Sequence, residues 1–484
     1  MRLLMGGRRP TELAGWGVIG MRGTCDHAVV LGASLAGLLT ARVLAEYYKQ
    51  VTVVERDALP PAGQHRKGVP HGRHLHGLHP RGREILDELF PDFTAELTAA
   101  GAVCCDVLAD ARWQLSGHQL RQRHAGLPAL LASRPFLEGH VRERVFRLPN
   151  VRVLEGHSVS GLMAAREGRR VTGARVSDAE GKPDVMEADL VVDASGRGSR
   201  APRWLSELGY QAPAQDRVEI GLGCATRTYR LRPGAMNGDR LILTAGTLAR
   251  PRFGALAAIE GDRHILTLGG ICGDYPPTDP AGFADFVSAL PTGAIAAAVA
   301  EAEPLDEPVP FRFPASTRNR FERLREFPAG LLVTGDAVCS FNPVYGQGMT
   351  VAAMQALALR RYVGAGTADT PSRFFKDIAA VIDIPWDIAV GADLAFPQVP
   401  GPRSAKVRLV NAYLPRLHAA AADDGELALS MIKVIGLKSR PEGLMRPDRM
   451  LRVLRGNLRR PARPGAAATP GSGTAAAGEP DLAA

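Results

Sequence analysis

The stretch from Val29 to Glu55 constrains the fold of this chain more than any other segment. It reads as an apolar strand, a turn of small residues, an apolar helical run to Tyr48, a second apolar strand and a terminal acid. Small residues in such a turn let a phosphate group approach the backbone, and the helix that follows offers unpaired N–H groups and a partial positive charge. The segment therefore predicts a βαβ unit with a nucleotide site at its turn.

The turn carries a variant of the G-x-G-x-x-G pattern. Gly32 and Gly37 hold the outer glycine positions, and Ser34 stands at the middle one. Glu55 follows 18 residues after Gly37, close to the usual ~20, so its carboxylate could accept a hydrogen bond from a ribose hydroxyl. Serine is small enough to leave the approach open. An ordinary βαβ unit without a ligand remains the alternative on this motif alone.

Length and charge exclude several classes of protein. The 484 residues can form two domains or one composite domain, and 45% hydrophobic content is typical of a globular protein. The net charge of +9 is spread along the chain without a basic run interleaved with aromatic residues, which argues against nucleic-acid binding. No apolar run reaches the ~18 residues of a membrane span, so we expect no transmembrane segment.

The cysteines and histidines indicate neither a disulfide framework nor a metal site. The six cysteines include no C-x-x-C pair, which favours reduced thiols and a cytoplasmic location. Five histidines lie between residues 65 and 79, but Arg and Lys residues separate them and no second cluster of ligands completes a site. We therefore expect no metal. Cys339, beside a Gly-Asp pair, is interpreted as a small packing residue.

The rest of the chain suggests two further strand ends and a change of architecture. Apolar strands end at Asp193 and at Gly335-Asp336, and each is followed by a glycine-containing turn. Residues 218–313 alternate in the manner of an antiparallel sheet, with a hairpin turn at 260–263. Residues beyond 366 appear helical, with breaks expected at Pro385-Trp386 and at 397–402.

At this point the sequence resembles the class A flavoprotein monooxygenases, the group that includes p-hydroxybenzoate hydroxylase, and within it the actinobacterial branch that contains the polyene epoxidases of polyether biosynthesis. The resemblance runs from about residue 27 to residue 410. Its most specific parts are Arg66-Lys67-Gly68-Val69-Pro70-x-x-Arg73-His74-x-His76 and Gly335-Asp336-Ala337-x-x-x-Phe341-Asn342-Pro343-Val344-Tyr345-Gly346-x-Gly348-Met349.

The resemblance implies an α/β fold: a Rossmann-like three-layer FAD-binding domain, an inserted and mostly antiparallel substrate domain, and a C-terminal helical region. Together with composition and residue pattern, it predicts these divisions: a disordered leader (1–26, with Met21 as an alternative start), the FAD-binding domain (27–215, with a short substrate-side insertion at about 90–125), the substrate domain (216–320), the second part of the FAD-binding domain (321–365), the helical region (366–460) and a disordered tail (461–484).

The resemblance also implies FAD and the residues that hold it. Gly32, Ser34 and Gly37 would carry the pyrophosphate, Glu55 the ribose and Arg56 the adenine edge, while Arg73 and Arg134 would contact the flavin or its phosphates. The backbone of Val159 would contact adenine, Asp336 would hold the ribityl or pyrophosphate region, and Pro343, Gly346 and Gly348 would bring backbone N–H groups to the flavin ring. No catalytic side chain is expected, because the chemistry is borne by the flavin. Candidate walls of an apolar substrate pocket are Phe253, Phe311, Phe313 and Trp386.

The implied function is an FAD-dependent monooxygenase, either a hydroxylase or an epoxidase. It would transfer one oxygen atom from O₂, through a flavin 4a-hydroperoxide, to an organic secondary metabolite such as an aromatic compound or a polyene. The family's Asp-Gly motif is spread here as Asp193-x-x-Gly196-Arg197, so the electron donor is left open between NAD(P)H and a separate flavin reductase. The oligomeric state is also open.

Three other functions remain. One is a flavin-dependent reductase or desaturase of the geranylgeranyl reductase type, since a shared fold does not fix the reaction. A flavin halogenase is disfavoured by the lack of a Trp-x-Trp-x-Ile-Pro motif and of an obvious catalytic Lys. The third is a non-catalytic flavin-binding protein, which the presence of the flavin-ring glycines disfavours.

Overall fold

The computed structural model describes residues 25–366 and 370–459. Its strands are β1 (Cys25–Leu31), β2 (Tyr48–Val54), β3 (Gly77–Leu78), β4 (Val103–Asp106), β5 (Ala111–Leu115), β6 (His118–Gln119), β7 (Pro128–Leu131), β8 (Val151–Leu154), β9 (Ser158–Ala164), β10 (Val171–Ser177), β11 (Pro183–Glu187), β12 (Leu190–Asp193), β13 (Gln215–Arg230), β14 (Leu241–Thr244), β15 (Arg252–Ile259), β16 (Arg263–Gly270), β17 (Glu303–Pro304), β18 (Val309–Asn319), β19 (Leu331–Val333) and β20 (Cys339–Ser340). Its α-helices are α1 (Leu35–Leu44), α2 (Pro80–Leu89), α3 (Phe93–Ala99), α4 (Arg134–Phe146), α5 (Ala201–Glu207), α6 (Pro280–Ser288), α7 (Ala294–Val299), α8 (Gly348–Gly364), α9 (Pro371–Asp393), α10 (Ala405–Ala421), α11 (Gly425–Ile435) and α12 (Pro447–Leu458).

The predicted leader and tail lie outside the described residues, except at one point. Cys25 and Asp26, which the sequence placed in the leader, begin β1. The backbone N–H groups of Asp26 and His27 donate to the carboxylate of Asp189 at 2.8 and 3.1 Å. These two bonds fix the start of the strand.

A parallel sheet in the order β19-β12-β1-β2-β8 forms the centre of the molecule. The last four residues of β1 and of β2, together with β12 and β19, are mainly Val, Leu and Ala and have almost no exposed surface, as expected for strands covered on both faces. The edge strand β8 is partly exposed. Helices including α1, α4 and α8 pack on one side, and the antiparallel sheet β9-β10-β11 packs through β10 against β12 on the other. This confirms the three-layer α/β domain.

The second large sheet has the order β20-β18-β13-β16-β15-β14-β5-β6, with β17 also paired to β13. Its pairs are antiparallel except β14 with β5, which is parallel. The hairpin turn between β15 and β16 occurs where predicted, with Gly261 and Asp262 at φ of +73° and +54°. The mostly antiparallel sheet is thus confirmed. The antiparallel pair of β5 and β6, which lies in the predicted insertion at about 90–125, extends this sheet.

The break predicted at Pro385-Trp386 is wrong. Pro385 lies inside α9, which runs on to Asp393. An interior proline costs a helix roughly 3 kcal/mol, but α9 buries Phe374, Phe375, Ile378, Ile382 and Ala389 against the core, and this packing outweighs the lost hydrogen bond. The break expected at 397–402 does occur, between α9 and α10.

Within residues 25–366 and 370–459, no helix combines the length and hydrophobicity needed to cross a membrane. All six cysteines are free thiols.

Candidate cofactor and substrate site

A cavity of about 1540 Å³ lies between the two large sheets. Drug-sized ligands occupy pockets of roughly 300–1,000 Å³, so this cavity has room for more than one small molecule. Residues that follow the carboxyl ends of β1, β2, β12 and β19 line one part of it, and side chains of β15 and β18 line another. In open α/β sheets, ligands bind outside the carboxyl ends of the strands.

The turn between β1 and α1 is built for close backbone approach. Gly32 adopts a φ of +102°, and a Cβ there would lie 2.8 Å from the carbonyl oxygen of Ala194. Ser34 caps α1 without using its side chain on the helix, so the N–H groups of the first turn point at the cavity unpaired. Gly37 lies behind the turn, where a Cβ would come 1.8 Å from the carbonyl oxygen of Gly32. Gly37 therefore shapes the turn from beneath and does not line the cavity.

Gly37→Ala should destabilise the protein by about 1–3 kcal/mol, because backbone must move to admit the methyl group. The matched control is Gly348→Ala at the start of α8, where a Cβ meets nothing within 4 Å; this variant should keep wild-type stability or gain slightly from the better helix propensity of Ala. Urea unfolding followed by circular dichroism measures both. Equal stability of the two variants would contradict the packing described for Gly37.

Glu55 is buried at the edge of the cavity and already accepts three hydrogen bonds. The backbone N–H of Ala33 donates to Oε2 at 2.8 Å, that of Asp57 donates to Oε1 at 3.1 Å, and the guanidinium of Arg66 lies 2.9 Å from Oε2. A carboxylate has about four acceptor positions. One position thus remains for a ligand hydroxyl.

Arg66 joins Glu55 to a second buried acid. Its side chain, 6% exposed, also lies 3.1 Å from Glu138, and Glu138 accepts two hydrogen bonds from Arg134 at 2.7 and 2.9 Å. Burial alone would raise the pKa of Glu138, but Arg134 and Arg66 outweigh it and the net shift is downward. The cluster is therefore ionised, and it fixes the floor of the cavity beneath the β1–α1 turn.

Asp336 and Arg197 line the same cavity, and the charge of Arg197 acts on Asp336. The Asp336 side chain is open to the cavity, although it lies far inside the molecule. This depth raises its pKa, and the positive charges of Arg197 and Arg134 oppose the rise only in part. The guanidinium of Arg197 also lies over the rings of Phe311 and Phe313, at 5.9 and 5.5 Å. Arg197 therefore bridges the polar and apolar parts of the cavity.

The turn that carries Arg197 is held by Asp193. Both oxygens of this fully buried carboxylate accept hydrogen bonds within the turn, from the backbone N–H and hydroxyl of Ser195 and from the hydroxyl of Ser199. Asp193 thus positions the turn and has no group free for a ligand.

The loop from Asn342 to Gly348 is fixed on two sides. Asn342 and Tyr345 donate to the same oxygen of Asp393, at 2.9 and 3.2 Å, and the buried Gln347 donates to the carbonyl of Ile435 at 3.0 Å. At the loop's end Gly348 starts α8 with open space where a side chain would be. The loop therefore presents bare backbone and a helix N-terminus to the cavity.

The apolar part of the cavity is lined by aromatic and aliphatic side chains. Phe253, Phe311 and Phe313 pack with neighbours that include Leu222, Cys224 and Ile271. The ring of His74 lies 5.1 Å from Phe311, and its Nδ1 pairs with the hydroxyl of Thr226 at 2.7 Å. Burial, followed by repulsion from Arg73 and His65, lowers the pKa of His74 to about 4. His74 is therefore neutral at neutral pH, and the charge beside this wall comes from Arg197. Among the described residues, no group of three or more His, Cys, Asp or Glu is arranged to hold a metal ion.

The structure brings most of the predicted site residues together. Those on the cavity wall are Gly32, Ser34, Glu55, Arg56, Arg134, Val159, Asp336, Pro343, Gly346, Gly348, Phe253, Phe311 and Phe313. Arg73 instead points to solvent, and Trp386 is buried in the core behind the parallel sheet. Trp386 shares the inward face of α9 with Ile382 and Ala389, so its apolar character reflects core packing.

Sequence reasoning did not assign several residues that line the cavity. Arg66 and Arg197 belong to segments that the sequence singled out, but their ion pairs and ring contacts come from distant segments. Asp393 had a local signal, since it is a lone acid on the buried face of α9. The C-terminal helices also contribute to the wall, through Tyr413, Leu414, His418 and Met431, and nothing in their sequence indicated this.

Solved structures share this architecture. The flavin-dependent brominase Bmp2 superposes with a TM-score of 0.62 and 15% identity, covering 85% of this chain and 94% of its own. The p-nitrophenol 4-monooxygenase PnpA from Pseudomonas putida DLL-E4 superposes with a TM-score of 0.60 and 16% identity, covering 86% and 98%. At these identities the likeness shows a common fold.

The sequence comparison is more specific. No protein-family model matches the chain. Protein Rv3254 of Mycobacterium tuberculosis (strain ATCC 25618 / H37Rv) is 38% identical over 349 residues, which cover 69% of this chain and 72% of that protein. An identity this high over most of both chains shows common descent, and the chain belongs to the same protein family as Protein Rv3254.

Proposed function

We propose that this protein is an FAD-dependent monooxygenase that transfers one oxygen atom from O₂ to an organic substrate. The observation that carries the proposal is the continuity of the cavity. It joins a nucleotide-type turn at Gly32, a deep carboxylate at Asp336 and an apolar chamber around Phe311. The fold shared with a monooxygenase and with a flavin-dependent brominase agrees with this reading.

The residues present fit FAD. The first turn of α1 suits a pyrophosphate, because its N–H groups are free and Gly32 has no side chain. The remaining acceptor position of Glu55 suits a ribose hydroxyl, with Arg56 and Val159 beside the adenine. Arg134 and Asp336 would flank the central part of the cofactor, and the loop from Pro343 to Gly348 would cover the flavin ring with backbone. Arg73 is exposed and does not line the cavity, so its position does not suit this role.

When bound, reduced FAD would supply the electrons and the site of O₂ activation. The protein's own residues would do the rest. The N–H groups at the start of α8 would stabilise negative charge on the ring. The aromatic chamber would exclude water, which protects a reactive oxygen species from side reactions. Asp393 would hold the ring-covering loop in place through Asn342 and Tyr345.

The apolar chamber favours an aromatic or polyene substrate, to be hydroxylated or epoxidised, of the kind found in secondary metabolism. Its polar contacts would come from neutral histidines. Halogenation, the activity named for Bmp2, is the second candidate. Among the described residues that line the cavity, the lysine is Lys406; it is 72% exposed and paired with Asp387 at 2.9 Å. A lysine at the rim is poorly placed to act beside a buried substrate, which favours oxygen transfer.

Purified protein should be yellow and should release FAD on denaturation. Glu55→Ala and Asp336→Ala should each weaken FAD binding by about 1.5–3 kcal/mol, since each removes a charged acceptor from a hydrogen-bonded ligand; this is roughly 10- to 100-fold in Kd. Fluorescence titration of the FAD-free protein measures the effect, with the exposed Glu180→Ala as control. A colourless protein that takes up no FAD would overturn the proposal.

The reaction itself is tested by mass spectrometry of products formed under ¹⁸O₂ from a panel of aromatic and polyene compounds. We expect one ¹⁸O atom per product. A product that gains hydrogen without ¹⁸O would support the reductase alternative, and a brominated product formed with bromide would support the halogenase. We propose NAD(P)H or a separate flavin reductase as electron donor. Anaerobic bleaching of the flavin by NADH or NADPH alone would distinguish the two.

A further inference from the structure

The exposed apolar side chains of this protein are not scattered. Among the described residues, eight large apolar side chains are exposed. Four of them, Met450, Leu451, Leu454 and Leu458, lie on α12, and two more, Leu248 and Leu409, lie on the rim of the cavity. Single exposed leucines are ordinary, whereas a concentrated group marks an interaction surface.

The four residues form one stripe along α12. Met450, Leu454 and Leu458 follow each other at intervals of four residues, and Leu451 lies beside them, so they share a helix face. Leu458 is 76% exposed and Leu454 57%. A different part of the helix circumference packs inward through Val453, which is 3% exposed. The stripe is therefore additional to the face that α12 needs for folding.

Arginines border the stripe. Arg455 lies one turn after Leu451 and one turn before Arg459, and both arginines are exposed. Arg452 lies further round and pairs with Asp424. Asp448 is the only acidic residue of α12. The exposed surface of the helix is thus apolar with a positive border.

This helix is connected to the wall of the cavity. The side-chain amide of Asn457 donates to the carbonyl of Arg416 on α10 at 2.9 Å. From α10, Leu409, Tyr413 and Leu414 line the cavity, and so do Leu444 and Met445, which precede α12. A surface that binds α12 would therefore lie next to the helices that close the cavity.

We propose that α12 docks this protein on an anionic lipid surface, with the leucine stripe inserted among the acyl chains and Arg455 and Arg459 against the headgroups. A helix with an apolar face and basic flanks binds membranes in this way. A second copy of the chain fits less well, because pairing two such faces would bring arginines together. The inference is independent of the reaction proposed above. It adds a route by which an apolar substrate reaches the cavity without crossing water.

Sedimentation with sucrose-loaded vesicles tests the proposal, using the full-length protein and vesicles of phosphatidylcholine with or without 30 mol% phosphatidylglycerol, a composition of roughly physiological anionic content. Leu451→Gln/Leu454→Gln/Leu458→Gln removes the stripe, and Arg455→Gln/Arg459→Gln removes the border. Val185→Gln, at an exposed site on β11, is the control. Circular dichroism and thermal unfolding verify that each variant is folded.

We expect the wild-type protein and the control to bind anionic vesicles. The triple leucine variant should bind at least about tenfold more weakly. The double arginine variant should lose most of the difference between anionic and neutral vesicles, and high salt should do the same. Vesicle binding that is equal in wild type and folded triple variant would overturn the proposal. A wild-type dimer in light scattering that the triple variant loses would also overturn it, because a second copy would then cover the stripe. Vesicle binding that emerges only when the chain ends at Arg459 would overturn it as well, because the following segment would then cover the stripe.

Discussion

Replacing Arg66 by methionine should destabilise the protein by about 3 kcal/mol or more. The substitution keeps most of the side-chain volume but removes the positive charge that neutralises Glu55 and Glu138, both buried. Loss of one partner from a buried ion pair typically costs ~3–5 kcal/mol, because the remaining charge is left uncompensated. The lower end applies here, since Arg134 still pairs with Glu138 and two backbone N–H groups still reach Glu55. Urea unfolding monitored by tryptophan fluorescence measures the loss.

Two further variants make this result specific. Arg169→Met removes an arginine that pairs with Glu167 in solvent, with exposures of 84% and 74%, and should change stability by less than about 1 kcal/mol. Adding Glu138→Gln to Arg66→Met should recover part of the lost stability, because it removes a charge that has lost a partner. If Arg66→Met and Arg169→Met had equal effects, the buried cluster would contribute nothing to the fold.

Acidification should change the stability of the protein through two buried groups near the cavity, which act in opposite directions. Burial raises the pKa of Asp393 to about 7, against hydrogen bonds from Asn342 and Tyr345 that favour the ionised form. Its Oδ2 has no hydrogen-bond partner among the described residues, so no donor there stabilises a negative charge on that oxygen. Because the folded state holds this proton more tightly than the unfolded state, the Asp393 contribution to stability is present at low pH and is lost as pH rises toward 7. From pH 8 to pH 5 it should add about 3 kcal/mol.

His74 acts in the opposite direction. Its pKa is lowered to about 4 in the folded protein. Between pH 6.5 and pH 4, His74 is therefore protonated in the unfolded chain and neutral in the folded chain. The stability present above pH 6.5 is therefore lost on acidification, by about 2 kcal/mol at pH 5. The measurement is the change in the free energy of unfolding from pH 8 to pH 5. Relative to wild type, this change should be more negative by about 3 kcal/mol in Asp393→Asn and more positive by about 2 kcal/mol in His74→Gln. Parallel pH profiles of wild type and Asp393→Asn would show that this carboxyl has an ordinary pKa.

The parts of the fold that were predictable from sequence are those with local signals. The unit from Val29 to Glu55 and the strand at Leu331 combine apolar runs with glycine turns, and each signal lies within a short window. The alternation in residues 218–313 likewise predicted the second sheet. The helix break predicted at Pro385 was wrong, because the free energy that the proline costs the helix is smaller than the free energy that α9 gains by packing against residues far along the chain.

The site was predictable only where its residues belong to a motif. Asp336 and Gly348 belong to such a motif, and both line the cavity. Arg66 forms its ion pairs with residues from two segments, the end of β2 and helix α4. The wall formed by α10 and α11 depends on how the C-terminal region folds back. Trp386 was predicted to line the pocket but lies in the core. An aromatic residue on an apolar helix face is compatible with either position. Contacts between distant segments decide such cases.

The parallel pairing of β5 with β14 also has a consequence for biosynthesis. β5 leaves the ribosome well before the strands beside which it will lie, while β14 has no outer neighbour without it. A fragment that carries residues 215–319 alone would therefore present β14 as an open edge, where a strand from another molecule can pair. During translation β5 is made before β14, so the edge of β5 that pairs with β14 stays open until residue 244 has been synthesised, and a strand of another molecule can pair with it in that interval.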